Sequence, residues 1–196
     1  MNFVHWFDCQ RNFYFFQNVD TMTSSNATKL IAACIPIYWP VASFSHIVLE
    51  NKSALAGSTY KAIFQVGHGC NGAPTTAIAV QIPSGFQGAK PYPKVGWVLT
   101  TEANTRITWT AASKEAALQN AHFDEFVLRG KLPDATGPLW FKVLQTCSDG
   151  VSSVSNSWAE VPATGVSTQG LKSPAALLEV LAPNASGAAM PAEHKH

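Results

Sequence analysis

Short segments in which apolar and polar residues alternate, separated by turn-forming residues, most strongly constrain how this chain folds. The segment 60–66 places Tyr60 and Phe64 on one face and Lys61 on the other, as in a half-buried strand. Comparable segments occur at residues 47–49, 75–82, 97–101, 106–110, 123–132, 139–146 and 158–161. Because turns separate these segments and no βαβ spacing occurs, the pattern predicts an all-β domain over residues 46–162, an antiparallel β-sandwich of about seven to eight short strands.

Other stretches of the same domain lack this alternation. Residues 113–121 contain helix formers but no clear cap, so they predict no more than a short helix. Residues 84–96 are interpreted as a loop because prolines enforce an extended backbone there. Residues 67–72 contain three glycines, which predicts a loop that carries His68 and Cys70. The pair Asp149-Gly150 predicts a tight turn.

The composition is that of one domain with a real core. The chain has 196 residues, of which 46% are hydrophobic and 13% are charged. That charge content is too low for a disordered polyelectrolyte. The net charge is +1 and the Lys and Arg residues are scattered singly, so nucleic acid is not an expected partner.

An apolar segment precedes the domain. Residues 30–44 are apolar throughout and follow Lys29, and Ser43 and Ser45 supply the small residues that signal peptidases require. Two prolines interrupt the run, which is shorter than the roughly 20 residues that span a bilayer. Residues 1–45 are therefore predicted to be a signal peptide region, cut just before His46, that engages the membrane only during export.

The two ends of the chain differ in composition from the domain. Residues 1–21 fit a signal peptide poorly, and we expect translation to begin at Met22. Residues 163–196 are rich in Ala, Ser, Gly and Pro, which predicts a mostly disordered low-complexity tail with a weak helical patch at 175–181. The closing residues 193–196 are interpreted as a solvated tail end, with loose metal binding as the alternative.

The cysteines indicate the compartment. Two of the four lie upstream of His46, so the processed chain keeps only Cys70 and Cys147. Export favours a disulfide between them. Two unrelated buried thiols, or two metal-binding thiolates in a reducing compartment, are the alternatives.

Five motifs in register carry a resemblance to a known family. They are HIVLE at residues 46–50, GHGCNGAPTTAIAVQIPSG, KPYPKVGW, FDEFVLRGKLPD, and FKVLQTCSDG followed by Trp158. In this order they resemble the YcnI-like copper-binding domain family over residues 46–162. The resemblance implies an exported bacterial β-sandwich that binds Cu(II) through a mono-histidine brace, in a periplasmic or secreted location.

The resemblance also implies a ligand set. His46 would supply its amine and imidazole after cleavage, and Trp158 would lie beside the metal. The family's carboxylate follows the Gly-Trp segment, which points to Glu102, with Glu125 and Glu50 as alternatives. The glycine-rich loop is similar to that of a subgroup with a disulfide, and its His68 is either an extra ligand or an ordinary hydrogen-bonding loop histidine.

The chemistry favours copper capture. An amine and an imidazole from one residue chelate Cu(II), which leads the affinity order of divalent metals for such ligands. No hydrolase or nucleotide-binding motif is present in the sequence. We therefore expect a non-enzymatic protein of copper acquisition, delivery or homeostasis, with a copper chaperone or membrane copper transporter as partner. A copper-dependent oxidative enzyme and a metal-free structural or adhesion sandwich are the alternatives.

Overall fold

Two β-sheets packed face to face make up the part of the chain that the structure describes. The structure is a computed structural model and describes residues 46–103 and 105–183. The predicted signal peptide region and the last 13 residues lie outside this part. None of the residues within it form a helix long and apolar enough to cross a bilayer.

Eleven strands form the two sheets. They are β1 (Val48–Leu49), β2 (Ser53–Leu55), β3 (Thr59–Val66), β4 (Thr75–Gln81), β5 (Gln87–Pro91), β6 (Trp97–Glu102), β7 (Arg106–Ala111), β8 (Asp124–Lys131), β9 (Gly137–Ser148), β10 (Ser153–Trp158) and β11 (Ala176–Leu181). The all-β antiparallel sandwich predicted from the sequence is confirmed.

The smaller sheet has four strands in the order β1-β3-β8-β5. Along β3, Tyr60, Ala62, Phe64 and Val66 are buried, whereas Lys61 is exposed. This period of two arises because successive side chains of a strand point to opposite faces. The alternation that predicted the strand therefore also identifies the face that lines the core.

The larger sheet is built around its longest strand, β9. Its order is β2-β11-β9-β4-β7-β6, and β10 pairs with β9 beside β11. Residues 137–141 of β9 pair with β11, and residues 143–148 pair with β10. The β11–β2 pair is parallel, and the other pairings of this sheet are antiparallel.

Aromatic side chains from both sheets meet in the core. Phe64 of the smaller sheet lies edge-on to Phe141 of the larger one, with ring centroids 5.5 Å apart. The ring of Phe126 forms edge-to-face contacts with Trp97 and Trp109, with ring centroids 4.9 Å and 5.7 Å apart. These edge-to-face contacts add to the burial of apolar area and lock the two sheets together.

Strands β2, β5 and β11 were missed by the sequence interpretation, and the strand predicted at 158–161 is instead β10 at Ser153–Trp158. β2 and β5 lie in stretches that were interpreted as turn and loop, and β5 ends in Pro91, which an edge strand tolerates. The helical patch predicted at 175–181 is wrong, because Ala176–Leu181 is β11. Residues 113–121 form turns rather than a helix. The sheet thus continues past residue 162, where the domain was predicted to end.

Candidate functional site

His46 lies at the entrance to β1, against a buried tryptophan. Ile47 and Leu49 turn into the core, whereas His46 itself stays half-buried. Its ring centroid is 5.7 Å from that of Trp158, and the two rings are tilted by 57°. Trp158 is the last residue of β10 and is 3% exposed. The fold therefore brings together two residues that are 112 positions apart in the chain.

A buried amide holds the indole of Trp158. The Trp158 Nε1–H donates to Oε1 of Gln145 at 3.1 Å. Gln145, which is 1% exposed, donates from Nε2 to the carbonyl oxygen of His68 and to Oγ1 of Thr75, both at 2.8 Å. Within the described residues every buried side-chain nitrogen and oxygen has a partner. Loss of any member of this network would leave a buried polar atom unpaired, which is costly.

The predicted disulfide is confirmed and lies next to this network. Cys70 and Cys147 are bonded, with their Cα atoms 5.7 Å apart. Cys147 follows Gln145 by two residues on the same buried face of β9, and Oγ1 of Thr75 lies 3.7 Å from its sulfur. The alternatives of free thiols and thiolate ligands are therefore excluded for this pair.

The loop that carries His68 is tightly closed. Cys70 and Ala73 exchange two backbone hydrogen bonds, of 3.2 and 2.9 Å. The Gly69 N–H donates to Oδ1 of Asn120 at 3.2 Å, and a Cβ atom at position 69 would lie only 1.8 Å from the carbonyl oxygen of Ala73. Nδ1 of His68 contacts the carbonyl oxygen of Gly69. This loop thus presents the His68 carbonyl to Gln145 in a defined position.

A tight turn sets the register that brings Trp158 to the site. Asp149 and Gly150 connect β9 to β10, and Gly150 has a φ of 92°, which favours glycine. The backbone N–H groups of Ser152 and Val151 donate to the carboxylate and hold the pKa of Asp149 below its usual value. The hairpin predicted at this Asp-Gly pair therefore forms.

Glu102 lies at the opposite edge of the larger sheet. A single row of paired residues runs across the sheet from Trp158 of β10, through β9, β4 and β7, to Thr101 of β6, the neighbour of Glu102. Four such steps between neighbouring strands amount to about 19 Å. The Glu102 side chain is 50% exposed and pairs with Arg106 at 3.2 Å. The structure therefore does not bring Glu102 together with His46.

The two alternative carboxylates do not lie beside His46 either: Glu125 is hydrogen-bonded to another side chain and Glu50 lies away from His46 along the chain. Glu125 accepts a hydrogen bond of 3.4 Å from Nε2 of Gln65 on the partly exposed outer face. Glu50 is exposed and follows β1, about 13 Å from His46 along an extended chain. In the described ranges no group of three or more His, Cys, Asp or Glu side chains is arranged to hold a metal ion.

A groove beside His46 gives access to its ring. It has a volume of about 330 Å³ and lies between β1, β2, β11 and the segment that leads into β11. Its polar lining comes from His46, Lys52, Ser53, Thr168 and Glu179. A metal ion or a small ligand group can therefore reach His46 from this side.

Gln145, Thr75 and Glu179 were missed by the sequence interpretation. For Gln145 a signal was present, since it shares the alternation of Phe141, Val143 and Cys147 and is the only polar residue among these four inward positions. A polar side chain on the buried face of a predicted strand indicates a hydrogen-bonded role. No comparable signal distinguishes Glu179 from other exposed carboxylates.

Comparisons with known proteins agree with the fold. A protein from Nocardia farcinica, whose crystal structure reveals an immunoglobulin-like fold, is similar with 28% identity and a TM-score of 0.58, covering 69% of this chain and 97% of that chain. The sixth cohesin of Acetivibrio cellulolyticus scaffoldin B is similar with 9% identity and a TM-score of 0.45, covering 69% of this chain and 98% of that chain. A likeness at that level carries no argument about fold or function. No curated protein matches the chain.

One family model matches the chain, over residues 46–106 and 99–180. The match begins at His46 and ends within β11, and together its two parts cover more than half of the chain. The chain therefore belongs to the family described as Domain of unknown function (DUF1775), which contains the YcnI-like proteins.

Proposed function

We propose that the domain, once cut before His46, captures Cu(II) at the new N-terminus and hands it to a partner. The contact between the His46 and Trp158 rings carries this proposal. His46, which would chelate the metal, lies two residues before β1 and is half-buried against the Trp158 indole, which would shield one side of the ion from water. The start of the family match at residue 46 supports the position of the cut.

The proposed copper ligands are the two nitrogens of His46 alone, without the carboxylate that the sequence suggested. The amine and imidazole nitrogens of His46 form one chelate ring with Cu(II), whose affinity for nitrogen ligands is high. Glu102 on β6 lies four strands from Trp158 on β10, too far to reach an ion held by His46. Under this proposal the remaining positions on the ion are filled by water or by a ligand from the partner. Such open positions suit transfer, because an incoming ligand attacks the ion before the outgoing one leaves.

The proposed location is the periplasm or the exterior of a bacterium. A disulfide between Cys70 and Cys147 supports it, because such bonds persist in oxidising compartments and are rare in the cytosol. The partner would be a copper chaperone or a membrane copper transporter. Under this proposal the protein is a carrier rather than an enzyme.

A Cu(II) titration followed by EPR tests the proposal. The protein begins at His46, with its N-terminus confirmed by mass spectrometry. We expect tight binding of one equivalent, lost on His46→Ala and equally lost when one extra residue precedes His46. His122→Ala, which changes an exposed histidine in another loop, serves as the matched control and should bind normally.

Three outcomes separate the competing functions. Unchanged affinity in both the His46→Ala and the extended protein would refute the His46 site. Failure of the correctly processed protein to bind Cu(II) would favour a metal-free structural or adhesion role. Peroxide-dependent oxidation of a substrate by the copper form would favour an oxidative enzyme over a carrier.

A further inference from the structure

We propose that Gln145 is a positioning residue of the His46 site and that the Cys70–Cys147 disulfide acts on that site through Gln145. The metal-binding part of this inference rests on the proposed function. The side-chain hydrogen bonds of Gln145 go to Trp158, to Thr75 and to the backbone carbonyl of His68, and none goes to His46. Gln145 acts on Trp158, whose ring is the neighbour of the His46 imidazole.

The first step is the orientation of the indole. Nε1 is the single polar atom of the Trp158 side chain, and its hydrogen bond to Oε1 of Gln145 fixes the direction in which that edge of the ring points. With this edge fixed, the rest of the ring has one orientation toward His46, the observed tilt of 57°. Without the bond, only packing would resist rotation of the ring.

The second step is the orientation of the amide. A glutamine amide can in principle rotate by 180° about its last bond, exchanging its oxygen and nitrogen. In Gln145 this exchange would direct an NH₂ group at the Trp158 N–H, and its oxygen at the carbonyl of His68. Two donors would then face each other, as would two acceptors. The His68 carbonyl therefore selects the amide orientation that accepts from Trp158.

The disulfide lies next to the hydrogen bond between Gln145 and the His68 carbonyl. Cys147 follows Gln145 by two residues, and Cys70 follows His68 by two residues. The disulfide and the bond from Gln145 to the His68 carbonyl are therefore adjacent cross-links between β9 and the same loop. The covalent link holds the loop at the distance that the hydrogen bond requires.

Reduction would break this arrangement. A dithiol delivers two electrons and two protons, the S–S bond is replaced by the Cys70 and Cys147 thiols, and the dithiol becomes a disulfide. The loop then loses its covalent attachment to β9, and Gln145 loses a fixed acceptor. The His46 site would thus be fully assembled only in the oxidised protein.

Metal-free protein tests the positioning step. The Trp158 indole N–H is assigned in ¹⁵N spectra by its absence in Trp158→Phe, and its hydrogen exchange is measured. We expect strong protection in the wild type and loss of protection in Gln145→Met. The Trp109 indole, which donates to the carbonyl of Tyr92 at 3.0 Å, reports global stability and is the reference for Trp158 in every variant. Gln81→Met, the same change on the exposed face of β4, should alter neither signal.

The Cys70→Ser/Cys147→Ser double variant tests the disulfide without adding a thiol that would itself reduce copper. Removal of the disulfide lowers global stability, so both indoles should lose protection, and we expect the Trp158 indole N–H to lose more than that of Trp109. Because the disulfide is proposed to act through Gln145, equal losses for the two indoles would overturn the proposal even where Gln145→Met does not fold. Unchanged Trp158 protection in folded Gln145→Met would overturn the role of Gln145.

Copper affinity supplies the second readout. Because partners that orient a metal site typically contribute at least tenfold to affinity, we expect Gln145→Met to bind Cu(II) about tenfold more weakly than Gln81→Met. Equal affinities would overturn the link from Gln145 to the metal. A wild-type protein that binds no Cu(II) would refute the proposed function, while the exchange measurements would still decide whether Gln145 and the disulfide position Trp158.

Discussion

The two sides of the larger sheet, at β10 and at β6, use polar side chains differently. At the side of β10, Trp158 and Gln145 are 3% and 1% exposed and belong to one connected network next to a disulfide. At the β6 edge, Glu102 and Arg106 are about half exposed and bind each other alone. Buried polar groups must be satisfied and so define one geometry, whereas an exposed ion pair contributes little.

This difference explains why the carboxylate was difficult to assign from the sequence. Glu102 was assigned as the copper-binding carboxylate because it follows the Gly-Trp segment. The order of motifs along the chain, however, does not reveal how far apart two residues lie across a sheet. β6 lies at the far edge because β4 and β7 separate it from β9. Three sets of variants would sharpen or break the contrast between the two sides.

The largest effect is expected from removing the disulfide. The bond closes a loop of 77 residues, so the chain-entropy model gives a stabilisation of about 4 kcal/mol. We expect Cys70→Ser/Cys147→Ser to lower the free energy of unfolding by that amount in urea denaturation of the processed domain. A midpoint equal to that of the wild type would contradict the view that the His46 side depends on this cross-link.

A smaller effect is expected from the loop glycines. Gly69→Ala would set its Cβ against the Ala73 carbonyl oxygen, and we expect a cost of about 3 kcal/mol, the upper end for overpacking. Gly72→Ala in the same loop meets no atom within 4 Å, and its φ of 85° predicts a cost of about 1 kcal/mol. Thermal unfolding measures both variants. Equal losses would contradict the tight closure of the loop.

The smallest effect is expected at the β6 edge. Glu102→Gln removes an exposed ion pair, so the free energy of unfolding should change by no more than about 0.5 kcal/mol. Cu(II) affinity should stay at the wild-type value, as it should in the matched variant Arg106→Gln. A large loss of Cu(II) affinity in Glu102→Gln but not in Arg106→Gln would indicate that Glu102 is a metal ligand after all, and would contradict the conclusion that it lies far from His46.

Much of the fold follows from local pattern. Strand β3 and strand β8 were predicted within one residue because each pairs an apolar face with a polar face over eight residues. The Asp149-Gly150 turn was predicted because few dipeptides suit a tight hairpin so well. Strand β11 was mistaken for a helix because ALLEVL contains good helix formers, and only the hydrogen bonds offered by β9 and β2 make it a strand.

Residue type and spacing were enough to identify a β-sandwich and its disulfide, because alternation along a strand is local and the predicted processed chain keeps only two cysteines. The neighbours of His46 depended on the packing of distant segments. Trp158 reaches His46 through the register of β10 on β9, and Gln145 reaches His68 across 77 positions of the chain. Sheet order separates Glu102 from both, since hydrogen-bonded registers decide which side chains meet.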